Sequence, residues 1–481
     1  MGGRHHGRLH DGLCAPARVR GRDRCPADRG LVAVATISQI LAAWIVAAEV
    51  PAAQQGKATL RVLDTLGLVA AALDTPQAEA VREFACDQGG GSQAGLVGGT
   101  RLPAGLAALV HGTLAHAFDF DDTFADSVVH PGSVVVPTAL AAGEAHAATG
   151  AAVLDAVAVG YEVAARLGAV AGRGFHGRGF HASGIIGPLA AAAVASRLMG
   201  LTADQTAQAL GLAGSMSGGL LAFVEDGSWS KWLHLGWAAQ GGITAAGLAG
   251  RGFRGPVSVL ESDHGLYAAH LGSTEGVEAI CDDLGGVWQG DQALPKTYPC
   301  AHVIQPFLDT AIEARSEENL AADTIAQVIC TLAPWAVPIV AEPRSLKLEP
   351  SGPLDAIASL PFMVAAALVE GRVDLDTLAP ESLVRPDILA LAARVEHEAD
   401  ATLGQGFDGR LEITTGRRLR YEVRAHVAVP AQLREKFRRN AGRNFAPGAV
   451  AAIESAVDGL AEDGFAPLWQ ACTTSRGTEN P

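Results

Sequence analysis

The sequence predicts a mainly α fold: a large all-helical domain, with a smaller α+β lid domain inserted before the C-terminal helices. Ala-rich runs interrupted by Gly dominate the first half of the chain, which is typical of closely packed helices. Strand-like alternation begins only after about residue 271, and a helical pattern returns beyond residue 431. We therefore expect a helical domain over residues 36–270, the lid over residues 271–430, and C-terminal helices over residues 431–481 that return to the helical domain.

Residues 1–35 are predicted to lie outside this fold. Residues 1–30 contain seven Arg, three His and two Cys but no hydrophobic period, so we interpret the segment as a disordered tail or as an artefact of an upstream translation start. The uncharged stretch Gly30–Ala48 raises the alternative of a membrane span or a signal peptide. Polar interruptions and the helical spacing of its apolar residues favour an amphipathic first helix, capped near Thr36 or Ser38.

Three segments of the helical domain carry clear helix signals. Ala151–Leu167 is periodic, and Thr202-Ala-Asp-Gln205 is a capping box for a helix that runs through Leu210. The apolar run Ala182–Ser196 contains two Gly and one Pro, so we interpret it as a buried core helix rather than a membrane span.

The lid and the C-terminal region mix strands with helices. The predicted elements are a strand at Thr324–Leu332, helices at residues 355–370 and 385–403, a hairpin at Arg410–Val427 that turns at Thr415-Gly416, and helices at Gln432–Arg443 and Pro447–Asp463. A cleft between the lid and the helical domain is the natural place for a binding site.

Composition limits the possible functions. The formal net charge of −15 argues against general nucleic-acid binding, and we expect no membrane partner. Seven scattered Cys without a CxxC pair argue against zinc-finger, thioredoxin-like and iron–sulfur sites, and they suggest a reducing, cytoplasmic compartment. Five of the 36 basic residues are Lys, and they are candidates for roles that Arg cannot fill: Lys57, Lys231, Lys296, Lys347 and Lys436.

Ionisable residues concentrate in the otherwise apolar stretch His111–Pro137, which holds three His and four Asp. Burying so many ionisable groups is costly unless they are paired or used in chemistry. Asp119, Thr123 and His130 are of the types that suit proton transfer. The motif Asp121-Asp122-x-x-x-Asp126 permits a rival interpretation, the magnesium motif of an all-α terpenoid synthase, but no second metal motif is found and aromatic residues make up only 5% of the chain.

Three later segments add imidazoles and cations. His181 precedes a long apolar helix, whose dipole disfavours the imidazolium form. Lys231 lies between apolar stretches and needs an anionic partner, while Lys296 and His302 place a cation near an imidazole. Together these groups suit an anionic polycarboxylate and proton abstraction next to a carboxylate. The chain has no GxxxxGK[ST] loop and no GxSxG elbow, and we expect no cofactor and no metal.

These segments, in this order, resemble the MmgE/PrpD family. The resemblance rests on DFDDT…HPG, SKWLHLGWAAQGG and KTYPCAH, and it extends from the Trp44 helix to about residue 460. The family includes 2-methylcitrate dehydratase, cis-aconitate decarboxylase and iminodisuccinate epimerase. The resemblance implies a metal-independent homodimer with a helical domain and an α+β lid. It maps the pocket of cis-aconitate decarboxylase onto Asp119, Thr123, His130, His181, Lys231, Lys296 and His302.

Two features of the chain depart from the decarboxylase pattern. The Thr123–His130 and Lys296–His302 spacings are each one residue longer, and no tyrosine near Val337–Arg344 corresponds to the one that decarboxylases supply from the lid. The resemblance therefore favours a 2-methylcitrate dehydratase-like reaction. The alternatives on the same site are a cis-aconitate decarboxylase-like and an iminodisuccinate epimerase-like activity. A carboxylate binder without catalysis is a more distant alternative, because unused buried ions are costly.

The expected activity is that of a cofactor-independent lyase that abstracts a proton α to a carboxylate of a small di- or tricarboxylate. Lysine ammonium groups hold the carboxylates, one imidazole moves the α proton, and a second protonates the departing hydroxyl or the carbanion. The expected catalytic residues are His130, His181, Asp119, Lys231 and His302, and the expected substrate-binding residues are Thr123, Lys231, Lys296 and His302.

Overall fold

The computed structural model describes residues 35–425 and 428–473. The interpretation of residues 1–35 as a tail therefore falls outside the described residues, apart from Ala35. The described chain is mainly helical with small sheets, which confirms the predicted fold class. From Thr36 onward the described residues form one compact unit with two hydrophobic cores. The division into domains at residues 270 and 430 stays a prediction.

The first core is built by closely packed helices rich in small residues. They are α1 (Ile37–Ala47), α2 (Ala52–Ala71), α3 (Pro76–Asp87), α4 (Ala104–Ala115), α5 (Gly132–Ala145), α6 (Gly150–Ala171), α7 (Gly174–Gly177), α8 (Ala182–Leu198), α9 (Ala203–Ser215), α10 (Phe223–Asp226), α11 (Ser230–Ala249) and α12 (Leu266–Leu271). Turns of 3-10 helix follow at Val277–Cys281 and Gln289–Gln292, and the short strands are β1 (Ala94–Gly95), β2 (Arg101–Leu102), β3 (Thr123–Phe124) and β4 (Ala293–Leu294).

Glycines of α11 allow this helix to approach its neighbours closely. A Cβ atom on Gly242 would lie 2.3 Å from the Cβ of Ala191 in α8, and a Cβ on Gly236 would lie 2.2 Å from the main-chain oxygen of Leu109 in α4. Contacts this short exclude any larger side chain unless the backbone moves. The close packing fixes α11, which carries Lys231, against the centre of the first core.

The predicted helix starts are confirmed. The side chain of Thr36 accepts a hydrogen bond from the main-chain N–H of Gln39, whose side chain accepts one from Thr36 in return, and Thr202 and Gln205 form the same capping box. α9 continues beyond Leu210, and α6 and α8 cover the other two predicted helices. Among the described residues, no single helix is both long and apolar enough to cross a membrane; α1 and α2 meet that condition only as a pair bent by 94°.

A four-stranded mixed sheet organises the second part of the chain, in the order β6-β5-β7-β8. β5 (Gln327–Leu332) pairs in parallel with β6 (Val395–Ala399) and antiparallel with β7 (Gly409–Thr414), which pairs antiparallel with β8 (Arg418–Val423). The predicted strand and hairpin are therefore present, although β5 begins three residues late and β8 ends at Val423.

Short helices surround this sheet, and the chain ends in helices. They are α13 (Gln305–Glu317), α14 (Val337–Val340), α15 (Arg344–Leu348), α16 (Pro353–Ile357), α17 (Leu360–Glu370), α18 (Pro380–Leu383), α19 (Pro386–Ala392), α20 (Pro430–Ala441), α21 (Pro447–Asp458), α22 (Leu460–Asp463) and α23 (Phe465–Thr473), with 3-10 turns at His302–Ile304, Ala322–Thr324, Leu375–Leu378 and Ala401–Leu403.

Two predicted helices are wrong in part. The helix predicted at residues 385–403 stops at Ala392, because the following segment becomes β6 and its pairing with β5 outweighs the local helix signal. The helix predicted at residues 355–370 is divided into α16 and α17. Ser359 caps α17 by accepting a hydrogen bond from the N–H of Phe362, and a proline occupies the first turn, where its missing N–H has no cost.

The two cores meet at the chain segment that follows α4. Ala117 and Phe124 belong to the first core, whereas Phe120 between them belongs to the second core, beside Phe307. The C-terminal helices add Phe437 and other residues to the first core. The Asp-rich loop between α4 and α5 therefore has apolar residues in both cores.

Candidate active site

The loop between α4 and α5 carries most of the candidate site, and a two-stranded pairing holds it. β3 at Thr123–Phe124 pairs antiparallel with β4, with Thr123 opposite Leu294. This pairing brings Lys296, two residues beyond Leu294, next to Asp119, although 177 positions separate them in the chain. Asp119 has a φ of 48°, in the left-handed region that few residues besides Gly, Asn and Asp adopt.

Two lysines share the carboxylate of Asp119. Lys296 Nζ lies 2.8 Å from Oδ1 and Lys231 Nζ lies 3.1 Å from Oδ2, and Lys296 also donates to the main-chain oxygen of Asp119. All three side chains are buried or nearly so. Burial alone would raise the pKa of Asp119, but the two ammonium groups hold it below its usual range. The carboxylate is therefore ionised and faces two ammonium groups.

His116 and Asp121 form a buried hydrogen-bonded pair beside these lysines. His116 Nδ1 lies 2.9 Å from Asp121 Oδ1, and Ser133 Oγ donates to Oδ2 at 2.6 Å. Burial lowers the pKa of His116 to about 4 despite the attraction of Asp121, so the ring is neutral at pH 7. A neutral ring that donates from Nδ1 has its lone pair on Nε2, and that atom is buried without a hydrogen-bond partner among the described residues. His116 therefore presents a base-competent nitrogen.

His130 lies between the two carboxylates. Its Nδ1 is 3.0 Å from the main-chain oxygen of Asp122, 3.2 Å from Thr123 Oγ1 and 3.3 Å from Asp121 Oδ1. Its Nε2 is 3.7 Å from Asp119 Oδ1. The main-chain N–H of His130 donates to Ser183 Oγ, which ties the loop to the first turn of α8. Both ring nitrogens thus face groups that can orient a proton.

His181 occupies the N-cap position of α8 and is buried. Its ring stacks on His116 at 5.7 Å between centroids, and its Nδ1 lies 3.1 Å from Nδ1 of His234 on α11. Burial, followed by the neighbouring His116 and Lys231, holds the pKa of His181 well below its usual value, in line with the predicted neutral imidazole. Burial likewise lowers the pKa of His234 to about 4.

The carboxylate of Asp122 bonds neighbouring structural groups and does not contact the lysines on Asp119. Its Oδ2 accepts a 2.6 Å hydrogen bond from Tyr161, and its Oδ1 accepts one from the N–H of Gly132 at the start of α5. Asp126 is exposed to solvent. The three carboxylates of the rival magnesium motif are therefore divided between His116, Tyr161 and the solvent, and this arrangement does not favour the terpenoid synthase interpretation.

Metal binding at this cluster is possible by spacing alone. Ring nitrogens of His116, His130 and His181 lie within 4.8 Å of one another, and a second grouping replaces His181 with Asp119 and Asp121. Two ammonium groups already lie on Asp119 at this place, where they compete with a cation for its carboxylate oxygens. The arrangement suits an anionic ligand better than a metal ion.

The contacts above link six of the seven predicted site residues. The seventh, His302, contacts a residue of the second core. His302 begins a 3-10 turn and stacks on Phe407 of the second core, with centroids 4.7 Å apart. Sequence reasoning missed the roles of His116, Asp121 and His234. Their sequence positions could have indicated these roles, because His116 and Asp121 lie in the same segment as Asp119, and His234 lies three residues after Lys231.

Two family models match the chain. The MmgE/PrpD N-terminal domain matches residues 39–277, and the MmgE/PrpD C-terminal domain matches residues 298–462. The chain belongs to the MmgE/PrpD family.

The chain is similar to two proteins named cis-aconitate decarboxylase and to one named cis-aconitate decarboxylase-like. Cis-aconitate decarboxylase of Mus musculus is 27% identical over 389 residues, which are 75% of this chain and 76% of that protein. Cis-aconitate decarboxylase of Aspergillus terreus is 24% identical over 398 residues, 75% and 79% of the two chains. The cis-aconitate decarboxylase-like protein oryM of Aspergillus oryzae is 26% identical over 302 residues, and the match spans 58% of this chain and 61% of that protein, less than two thirds of its length.

Proposed function

We propose that this MmgE/PrpD protein is a cofactor-independent lyase that acts on a small di- or tricarboxylate, with decarboxylation of cis-aconitate as the first candidate reaction. The observation that carries the proposal is the sharing of Asp119 by Lys231 and Lys296 beside the neutral imidazoles of His116 and His181. The names of the relatives support decarboxylation over the 2-methylcitrate dehydration that the sequence favoured.

The pair of ammonium groups beside Asp119 is the substrate-binding feature of this proposal. A substrate carboxylate can accept hydrogen bonds from Lys231 and Lys296 in a site that excludes most water, where charge-assisted hydrogen bonds are strong. Thr123 adds a hydroxyl next to His130. A substrate with two or three carboxylates gains most from such a site, because one carboxylate can be held while chemistry proceeds next to another.

Proton transfer by the imidazoles is the chemical step. In decarboxylation, the C–C bond to one carboxylate breaks and CO₂ leaves; the electron pair stays on carbon, where the remaining carboxylates delocalise it, and one proton taken up from solvent reaches that carbon through the imidazole of His130 or His181. In dehydration, one imidazole takes the α proton and another protonates the leaving hydroxyl. Both reactions need the same arrangement of cation, acid and base.

Dehydration of 2-methylcitrate is the second candidate reaction, because no tyrosine hydroxyl in the described chain contacts the cluster around Asp119. Each of the four tyrosines of the chain is described, and none contacts Asp119, His130 or His181 through its hydroxyl. Tyr161 and Tyr298 donate to Asp122 and Asp309, respectively, and Tyr267 donates to a main-chain oxygen. A decarboxylase that depends on a tyrosine proton donor lacks that donor here. Epimerisation of iminodisuccinate is a further alternative, because it also begins with abstraction of a proton α to a carboxylate.

Proton NMR in D₂O tests the proposed function. Chelator-treated protein is incubated with cis-aconitate, 2-methylcitrate, citrate and iminodisuccinate, and the products are identified. We expect loss of CO₂ from cis-aconitate with one deuteron incorporated. Loss of water from 2-methylcitrate moves the assignment to dehydration, and α-deuteration with inversion moves it to epimerisation. Absence of turnover and of exchange with all four compounds contradicts the proposal and favours a binder.

Homodimerisation and a cytoplasmic location belong to the same proposal, because both were inferred from the family resemblance and the cysteine pattern. Light scattering of the purified full chain tests the first. We expect a mass near twice 49.3 kDa, and a mass equal to a single chain at micromolar concentration contradicts it.

A further inference from the structure

One of the five lysines, Lys436, is fully buried but lies outside the cluster of ammonium groups on Asp119. It extends from α20, and its Nζ lies 2.8 Å from Oδ1 and 3.0 Å from Oδ2 of Asp64 on α2. The same ammonium donates to the main-chain oxygen of Phe120 at 2.8 Å and lies 4.1 Å from the centroid of its ring. Phe120 stands between Asp119 and Asp121, so Lys436 contacts the site loop at its centre.

Two ammonium groups therefore bind successive main-chain oxygens of this loop. Lys296 binds the oxygen of Asp119, and Lys436 binds that of Phe120. Asp119 adopts the left-handed region, which Asp occupies only occasionally, so contacts on either side of it help to keep the loop in this conformation. Lys436 supplies such a hold from a C-terminal helix that otherwise packs in the first core.

Burial makes the Asp64–Lys436 ion pair costly to ionise. Burial raises the pKa of Asp64 to about 6 even though Lys436 opposes the shift, and burial lowers the pKa of Lys436 even though Asp64 opposes that shift. Each group is therefore harder to ionise in the protein than in water. Apolar residues of similar volume can replace such a pair without loss of stability. The contact with Phe120 offers a reason for an ion pair at this position.

We infer that Lys436 is a positioning residue, whose ammonium, anchored by Asp64, holds the main-chain oxygen of Phe120 and thereby sets where Asp119 and Asp121 stand relative to the imidazoles. It acts through the loop and does not touch the substrate. The turnover readout of this inference rests on the proposed function; the structural readout below does not.

The double variant Asp64→Leu/Lys436→Met separates positioning from stability. We expect it to melt at or above the wild-type temperature, while kcat falls roughly 10- to 100-fold, the loss that a small misplacement of reacting groups produces. KM should change less than kcat, because Lys231 and Lys296 remain.

The matched control for the double variant is Lys57→Met. Lys57 and Asp64 line the same cavity of about 220 Å³, but Lys57 is half-exposed and pairs with Asp291 at 2.7 Å. Its kcat should equal that of the wild type.

Histidine NMR supplies a readout that needs no substrate. In protein labelled at His Cε1, the signal of His116 should move in the double variant, since Asp121 bonds this ring, and should stay in place in Lys57→Met. If the wild type turns over no compound, the proposed function fails while this readout still tests the inference. The inference on Lys436 is overturned if the double variant keeps the wild-type kcat and an unmoved His116 signal. It is also overturned if the double variant loses melting temperature and kcat while the His116 signal stays unmoved.

A second variant covers the case in which the double variant does not fold. Asp64→Asn keeps the volume and leaves Lys436 in place but removes the charge that anchors it. We expect a smaller loss of kcat and a displacement of the His116 signal in the same direction. Wild-type values for both overturn the inference.

Discussion

Asp119 and Asp64 are both buried aspartates that face lysines, yet their ionisation differs. Two ammonium groups flank Asp119, and its pKa is held below the usual range. A single ammonium, that of Lys436, faces Asp64, whose pKa rises to about 6. Burial opposes ionisation in both cases. Asp119 has a second ammonium group that lowers its pKa, whereas the neighbouring Asp122 and Asp121 further raise the pKa of Asp64.

The same difference separates a binding site from an anchor. At Asp119 two ammonium groups lie on one carboxylate, and each can also donate a hydrogen bond to a substrate carboxylate. The Asp64–Lys436 pair is neutral as a whole, and its ammonium already bonds a main-chain oxygen of the loop. We therefore propose substrate recognition for the first region and loop placement for the second. The predictions below remove one component of this comparison at a time.

The largest effect is expected from Lys296→Met, which leaves Asp119 with one cation and its main-chain oxygen without a donor. We expect kcat/KM to fall roughly 10³-fold, the scale of removing a preorganised charge from a water-excluded site. Steady-state kinetics with the substrate found by NMR measure it. The partner variant Lys231→Ala should raise KM and lower kcat. Near-normal turnover in either variant is incompatible with the assigned roles.

The next effect concerns the imidazoles. His181→Gln should lower kcat roughly 10²-fold, the lower end of general acid–base contributions. His111→Gln is the matched control, since His111 is equally buried, its pKa is lowered to about 3, and it accepts a hydrogen bond from Val97 away from the cluster. The control should lose stability and keep its kcat per folded molecule. Equal losses of kcat in the two variants would remove His181 from the mechanism.

The dependence of stability on pH tests the opposite shifts of His116 and Asp64. The native pKa of His116 is about 4 against 6.5 when unfolded, so its contribution is complete above pH 6.5 and falls by up to ~3 kcal/mol as the pH drops towards 4. The native pKa of Asp64 is about 6 against 3.8, so its protonation adds stability as the pH falls over much of the same window. Asp64→Asn should therefore make the melting temperature fall more steeply on acidification. An unchanged slope contradicts the raised pKa.

The smallest effect is expected at the surface. Arg434 bonds both Glu454 and Asp458 between α20 and α21, but its side chain is 30% exposed. Solvent-exposed ion pairs contribute about 0–1 kcal/mol. Arg434→Ala should lower the free energy of unfolding by no more than that and leave kcat unchanged, as urea titration and kinetics can measure. A loss of kcat would extend the anchoring role of α20 beyond Lys436.

Much of the candidate site was predictable because its residues are unusual for this chain. Asp119 and His130 stand out in an apolar stretch, and Lys231 and Lys296 stand out by the rarity of Lys. The fold class followed from the Ala- and Gly-rich periodicity. These signals are local, and they need no knowledge of which segments meet.

The remainder depended on contacts that only the folded chain makes. The pairing of Asp64 with Lys436 joins α2 to α20 across 372 positions, and no local pattern indicates it. The helix predicted at residues 385–403 ends early because β6 pairs with β5, which is likewise non-local. The hydrogen bond between His116 and Asp121 is close in sequence, but its geometry follows from the turn at Asp119.

A crystal structure with propane-1,2,3-tricarboxylate, a tricarboxylate without a double bond or hydroxyl to react, tests the central claim most directly. The account predicts that one carboxylate lies about 3 Å from Nζ of both Lys231 and Lys296, with the carbon next to a carboxylate facing His130 or His181. Binding away from Asp119, or an occupied cluster in which neither lysine contacts a carboxylate, would contradict it.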